Sequence, residues 1–111
     1  KIKTILKYKK KITTKYQKEF KSVKDIDFIN QPKGCKSNYW LNTIKIKNLK
    51  ILNRDKILNE LNKNSFECRP AWKLLHKLKM FQKCPKSKLN NSIKLEGELI
   101  TLPSSPVYGK K

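Results

Sequence analysis

Arginine is almost missing. The 111 residues contain two, Arg54 and Arg69, beside 26 lysines. Proteins that read nucleic acid rely on the planar fork of arginine for phosphates and guanine edges. Lysines are spread along nearly the whole chain rather than gathered into one patch, although the formal net charge is +20. The ten asparagines and eleven isoleucines that accompany them complete the mixture an AT-rich genome encodes. We read the charge as codon usage before partner chemistry, and a small basic nucleic-acid-binding module stands as the alternative function.

Other scarcities exclude other chemistry. Three glycines leave no Gly-rich phosphate loop. The one histidine, His76, lies eight residues from Cys68 and eight from Cys84, and no Cys-x-x-Cys pair exists. That spacing matches no common zinc arrangement, and no metal site is expected. Cys35, Cys68 and Cys84 are expected to be reduced and mostly buried. Only eight acids are present, none in an unusual setting, which argues against paired carboxylates doing acid–base work. With no base set beside a nucleophile, a self-contained enzyme is not expected. No apolar run approaches the roughly 20 residues of a membrane span. The first residues lack the apolar core of a signal peptide, so a cytoplasmic location is expected. The chain opens on Lys1 inside an apolar pattern, as a processed chain or a piece of a longer one would.

What is present has order. Ile2, Ile5, Leu6, Ile12, Tyr16 and Phe20 recur at helical spacing and predict a helix over 1–21. Its length and missing cap suit the end of a connecting helix better than a free amphipathic helix on a membrane surface. Strands are expected at 26–29, 37–46, 66–69 and 99–102, the second having Tyr39, Leu41, Thr43 and Lys45 on one face. Asn53 is a plausible N-cap for a helix ending near Asn64, where Asn64 would take the left-handed position. A poorer helix covers 87–99, weakened at Gly97. The pattern is an α+β fold, a small mostly antiparallel sheet covered by helices. Residues 107–111 read as a tail.

The stretch from Cys68 to Pro85 concentrates uncommon types: Arg69, Trp72, His76 and Met80. Tyr39, Trp40, Arg69, Trp72 and His76 together supply stacking faces, polar hydrogen bonds and a guanidinium, a set that suits a nucleotide diphosphate. Two core tryptophans and a surface ion pair for Arg69 would explain the same residues.

An ordered set of motifs then carries a resemblance. Ser37-Asn38-Tyr39-Trp40-Leu41-Asn42, Arg54-Asp55, Arg69-Pro70-x-Trp72-Lys73-x-Leu75-His76, Met80-Phe81 with Cys84-Pro85, and Leu102-Pro103-Ser104-Ser105-Pro106 follow in sequence. Together they resemble the C-terminal domain of DegT/DnrJ/StrS-type sugar aminotransferases, in the branch making 4-amino sugars of the legionaminic acid or bacillosamine type. Lys79 and Ala71 depart from that pattern, where Pro and a larger apolar residue are usual. The resemblance implies the small domain of a fold type I enzyme dependent on pyridoxal phosphate. It implies a homodimer acting on a nucleotide-linked 4-keto-6-deoxy sugar, with glutamate as amino donor. Residues 1–21 would end the interdomain helix and 22–106 would form the small domain. The catalytic lysine would lie in a large domain outside this chain, so no residue here is assigned a catalytic role and the fragment alone is expected to be inactive. Asn38, Tyr39 and Trp40 are candidates for the ligand-facing strand, and Arg69, Trp72 and His76 for the loop over the substrate.

Overall fold

The structure, a computed structural model, describes residues 1–110. Helix α1 (Ile2–Phe20) is followed by strands β1 (Ile26–Phe28) and β2 (Asn42–Ile46), helix α2 (Arg54–Lys63) and strand β3 (Arg69–Pro70). Helix α3 (Asn90–Glu98) runs directly into β4 (Leu99–Leu102). The sheet is antiparallel throughout, in the order β1-β2-β4-β3. The α+β class and the long first helix agree with the sequence pattern.

Alternation explains which sheet face is covered. Along β2, Asn42, Ile44 and Ile46 are buried while Thr43 and Lys45 are half-buried on the other face. Ile44 pairs with Ile100 and Asn42 with Leu102, so β4 continues the same buried face. Tyr16 and Phe20 of α1 and Ile57, Leu58 and Leu61 of α2 pack against this core. A polar pair enters it: the Thr13 hydroxyl donates to Asn42 Oδ1 at 2.7 Å, so the buried amide is not left unpaired. The opposite face stays partly open.

Several local expectations need correction. The second strand begins at Asn42, not at residue 37, because Tyr39 takes a left-handed backbone (φ 50°) that no strand accommodates. The third is only Arg69–Pro70, and Pro70 lies within it; β3 is an edge strand, where a missing N–H costs no ladder bond. Strands β2 and β3 do not pair, since β4 lies between them. Asn53 does cap α2, its Oδ1 accepting from the Lys56 amide at 3.0 Å. The left-handed residue after that helix is Ser65 (φ 64°), one position beyond Asn64. Cys35 and Cys84 are exposed and only Cys68 is buried, where burial pushes its thiol pKa up. Two carboxylates do have unusual settings. Glu98 is buried near Lys45, and Glu96 is held by Leu74 and Lys77. Residues Pro106–Gly109 form a 3-10 turn packed on α1 in place of a tail, while Lys111 lies outside the described residues.

Candidate tryptophan pocket

The open sheet face carries a pocket of about 280 Å³. Thr43 of β2 and Leu99 and Thr101 of β4 form its floor, because odd-numbered positions on both strands point away from the core. Arg69 pairs with Thr101 across the sheet edge, which brings its guanidinium to the same face. Pro70 then ends the strand and turns the chain, and Trp72 stands over the rim. Trp40 faces it from the segment before β2. The two indole rings lie 5.7 Å apart, centroid to centroid, at an interplanar angle of 40°. They are 63% and 73% exposed, so they are not core tryptophans.

Arg69 makes no ion pair and no side-chain hydrogen bond among the described residues. A cationic planar group beside two indoles and two threonine hydroxyls offers what an aromatic ring bearing phosphates requires: stacking, cation–anion hydrogen bonds and polar anchors.

The six candidate residues do not converge on one place. Trp40, Arg69 and Trp72 share this pocket. Asn38 and Tyr39 line a separate groove against the first half of α1, with Lys3, Lys7 and Lys10. His76 lines a hollow of about 500 Å³ with Phe81, Cys84 and Leu89. Asn38 nevertheless acts on Trp40: its Oδ1 accepts from the Trp40 amide at 3.0 Å, and Ser37 Oγ accepts from the Tyr39 amide at 3.0 Å. The Tyr39 hydroxyl donates to Gln31 Oε1 at 3.1 Å.

Sequence reasoning missed Thr43, Thr101 and Lys9. The threonines alternate with core residues, so the sequence marks them as strand positions and nothing more. Lys9 sits in a run of lysines on α1 and resembles any solvated helix position. Its ammonium donates to the carbonyls of Tyr39 (3.2 Å), Trp40 (3.0 Å) and Ser104 (2.7 Å).

This arrangement does not fit pyridoxal phosphate. An internal Schiff base requires a lysine amine free to attack an aldehyde. No lysine lines the tryptophan pocket. Lys9, whose pKa burial lowers, has all three N–H groups engaged by carbonyls.

Comparison with known proteins agrees with the fold. DesI, solved in the presence of its TDP-sugar product, superposes with a TM-score of 0.82 at 13% identity, over 92% of this chain and 26% of that one. Helicobacter pylori PseC, an aminotransferase involved in pseudoaminic acid biosynthesis, gives 0.79 at 17%, over 95% and 30%. The E. coli GDP-4-keto-6-deoxy-D-mannose-3-dehydratase, solved with bound hydrated pyridoxal phosphate, gives 0.75 at 18%, over 96% and 29%. At these identities the likeness shows the fold alone, and the chain spans under a third of each relative's length. No curated protein sequence matches. The model of the DegT/DnrJ/EryC1/StrS aminotransferase family matches residues 1–111, and the chain belongs to that family.

Proposed function

We propose that the chain is the C-terminal part of a pyridoxal-phosphate-dependent aminotransferase that aminates a nucleotide-linked 4-keto-6-deoxy sugar for bacterial surface glycan synthesis. The observation that carries the reading is the family match over the whole length. One structural relative was solved in the presence of its TDP-sugar product and another is named for a GDP-linked 4-keto-6-deoxy sugar, which supports the substrate class. In this reading the catalytic lysine and the cofactor belong to the larger protein, and the 111 residues alone are inactive. Trp40 and Trp72 stack on the nucleotide and Arg69 pairs with its diphosphate. Asn38 and Tyr39 shape the segment that presents Trp40, and His76 is assigned a place on the neighbouring wall. Glutamate as donor, a homodimer and a cytoplasmic location belong to the same proposal.

Titration of the chain with a TDP-linked 4-keto-6-deoxy sugar, read by tryptophan fluorescence, tests this. Saturable quenching is expected, weakened about tenfold in Arg69→Ala. No saturable quenching, with tight and steeply salt-dependent binding of single-stranded RNA at physiological salt, would favour the basic module instead. Mixed with pyridoxal phosphate, the chain is expected to show no Schiff-base band that survives dilution. A stable stoichiometric band would bring the catalytic lysine inside these residues.

A further inference from the structure

Trp40 does not stand on a regular element. It precedes β2, follows a residue with a left-handed backbone, and is itself mostly exposed. Trp40 is 63% exposed and its indole lies 5.7 Å from that of Trp72, centroid to centroid. A bulky aromatic residue at φ 50° is strained, and such a conformation persists only when the surroundings over-determine it. The two local turns made by Ser37 and Asn38 are exposed and compete with water. A longer-range constraint, two of whose three hydrogen bonds are partly buried, acts on the same segment.

Lys9 supplies it. Its ammonium reaches from the middle of α1 to three carbonyls from two separate segments, at Tyr39, Trp40 and Ser104. Ser104 in turn is tied to β2: its Oγ accepts from the Asn42 amide at 2.8 Å and from Asn42 Nδ2 at 3.1 Å, and donates to the Leu102 carbonyl at 2.8 Å. The carbonyls of the two peptide groups on either side of the Trp40 Cα are thereby fixed to the end of β4 and to the start of β2. Three charge-assisted donors on one nitrogen set a position in three dimensions, which a single bond would not.

We propose that Lys9 is a positioning residue for the tryptophan pocket: by gathering the carbonyls of Tyr39, Trp40 and Ser104 it holds the strained Tyr39 backbone and fixes the Trp40 indole opposite Trp72. The consequence for ligand affinity rests on reading that pocket as the nucleotide site; the consequence for indole geometry does not.

The experiment uses the 111-residue chain with two readouts. The first is the circular-dichroism couplet that two close, skewed indoles produce without ligand. Trp40→Phe and Trp72→Phe identify the couplet as theirs. The second is tryptophan quenching by uridine diphosphate. Lys9→Met keeps the aliphatic stem and removes the donors. Lys9→Arg keeps the charge but replaces a convergent tripod by a planar fork, and reads the same quantity if the Met variant does not fold. Both are expected to lose most of the couplet, and affinity for uridine diphosphate should fall about tenfold. Adding Tyr39→Asn, a residue that tolerates the left-handed region, should restore part of the couplet. A merely structural role for Lys9 would show no such rescue. An unchanged couplet in a folded Lys9 variant overturns the proposal. Loss of the couplet in a Lys9 variant of a protein whose wild type binds neither uridine diphosphate nor the TDP-linked sugar supports the role of Lys9 and overturns the nucleotide reading alone.

Discussion

Glu96 accepts a hydrogen bond from the Leu74 amide at 3.1 Å and a second from the Lys77 ammonium. These contacts tie α3 to the irregular stretch that follows Trp72. The Lys77 hydrogen bond, against the opposing effect of burial, holds the Glu96 carboxyl below its ordinary value of 4.5. A depressed carboxylate pKa means that its contribution to stability is fully present above that ordinary value. It is lost as the pH falls below it, through the lower folded value. Glu96→Gln keeps an acceptor for Leu74 and loses the charge. It should cost about 1 kcal/mol at neutral pH, the upper end for a partly screened pair. Urea unfolding at a series of pH values should show the variant and the wild type converging as the acid limb is descended. Parallel curves down to the lowest pH would assign the acid limb to other groups. Neither Glu96 nor Lys9 was legible in the sequence, and for one reason. Each acts on backbone atoms distant in the chain, and residue type carries no signal for such a partner.

The 3-10 turn Pro106–Gly109 is where an element depends on one missing side chain. Ser105 caps it through its Oγ, Pro106 opens it with a fixed φ, and Gly109 is buried against α1. A Cβ at Gly109 would lie 2.3 Å from the Tyr8 carbonyl oxygen and 2.8 Å from its carbon, both backbone atoms that cannot swing aside. Gly109→Ala should therefore lift the turn from α1 and cost about 1–3 kcal/mol. Thermal unfolding measures the loss, and amide exchange should rise at 106–110 before it rises in the sheet. Unchanged stability would mean that the turn is not docked. The Pro-Ser-Ser-Pro turn is visible in the sequence but its continuation reads as a tail, because Val107-Tyr108-Gly109-Lys110 is too short to show a period. Elements with a period were legible: α1 from its apolar stripe, β2 from the alternation Asn42–Ile46. Strand order was not, since β4 enters between β2 and β3 from the far end of the chain. Trp40 and Arg69 share a pocket although β2 and β3 do not pair. They do so because both flank β4 on its open side.

At the scale of the molecule, charge and compactness act together. The radius of gyration is 15.8 Å, against about 13 Å for a compact domain of this length. The fully covered apolar set is small, Ile12, Ile44, Ile46, Cys68, Ile100 and Leu102, while Ile2, Trp40, Trp72, Leu75 and Met80 are each more than 60% exposed. Little burial therefore opposes repulsion among 28 basic residues balanced by eight acidic ones. Lys47–Asp27 and Lys63–Glu60, two of the six ion pairs among the described residues, are exposed on both sides, and such pairs contribute little each. Screening then weakens many repulsions and few attractions. The screening length shrinks from about 30 Å at 0.01 M salt to about 8 Å at 0.15 M, from the size of the whole domain to that of a near neighbour. The melting temperature of the isolated chain should accordingly rise over that range, and most steeply at its lower end. Sodium chloride and sodium perchlorate at equal ionic strength would separate screening from anion binding, because screening depends on ionic strength alone. A melting temperature that falls with salt would mean that attractive pairs such as Lys77–Glu96 and Lys45–Glu98 outweigh the repulsion, and that the excess of lysine is tolerated because it is placed rather than merely encoded.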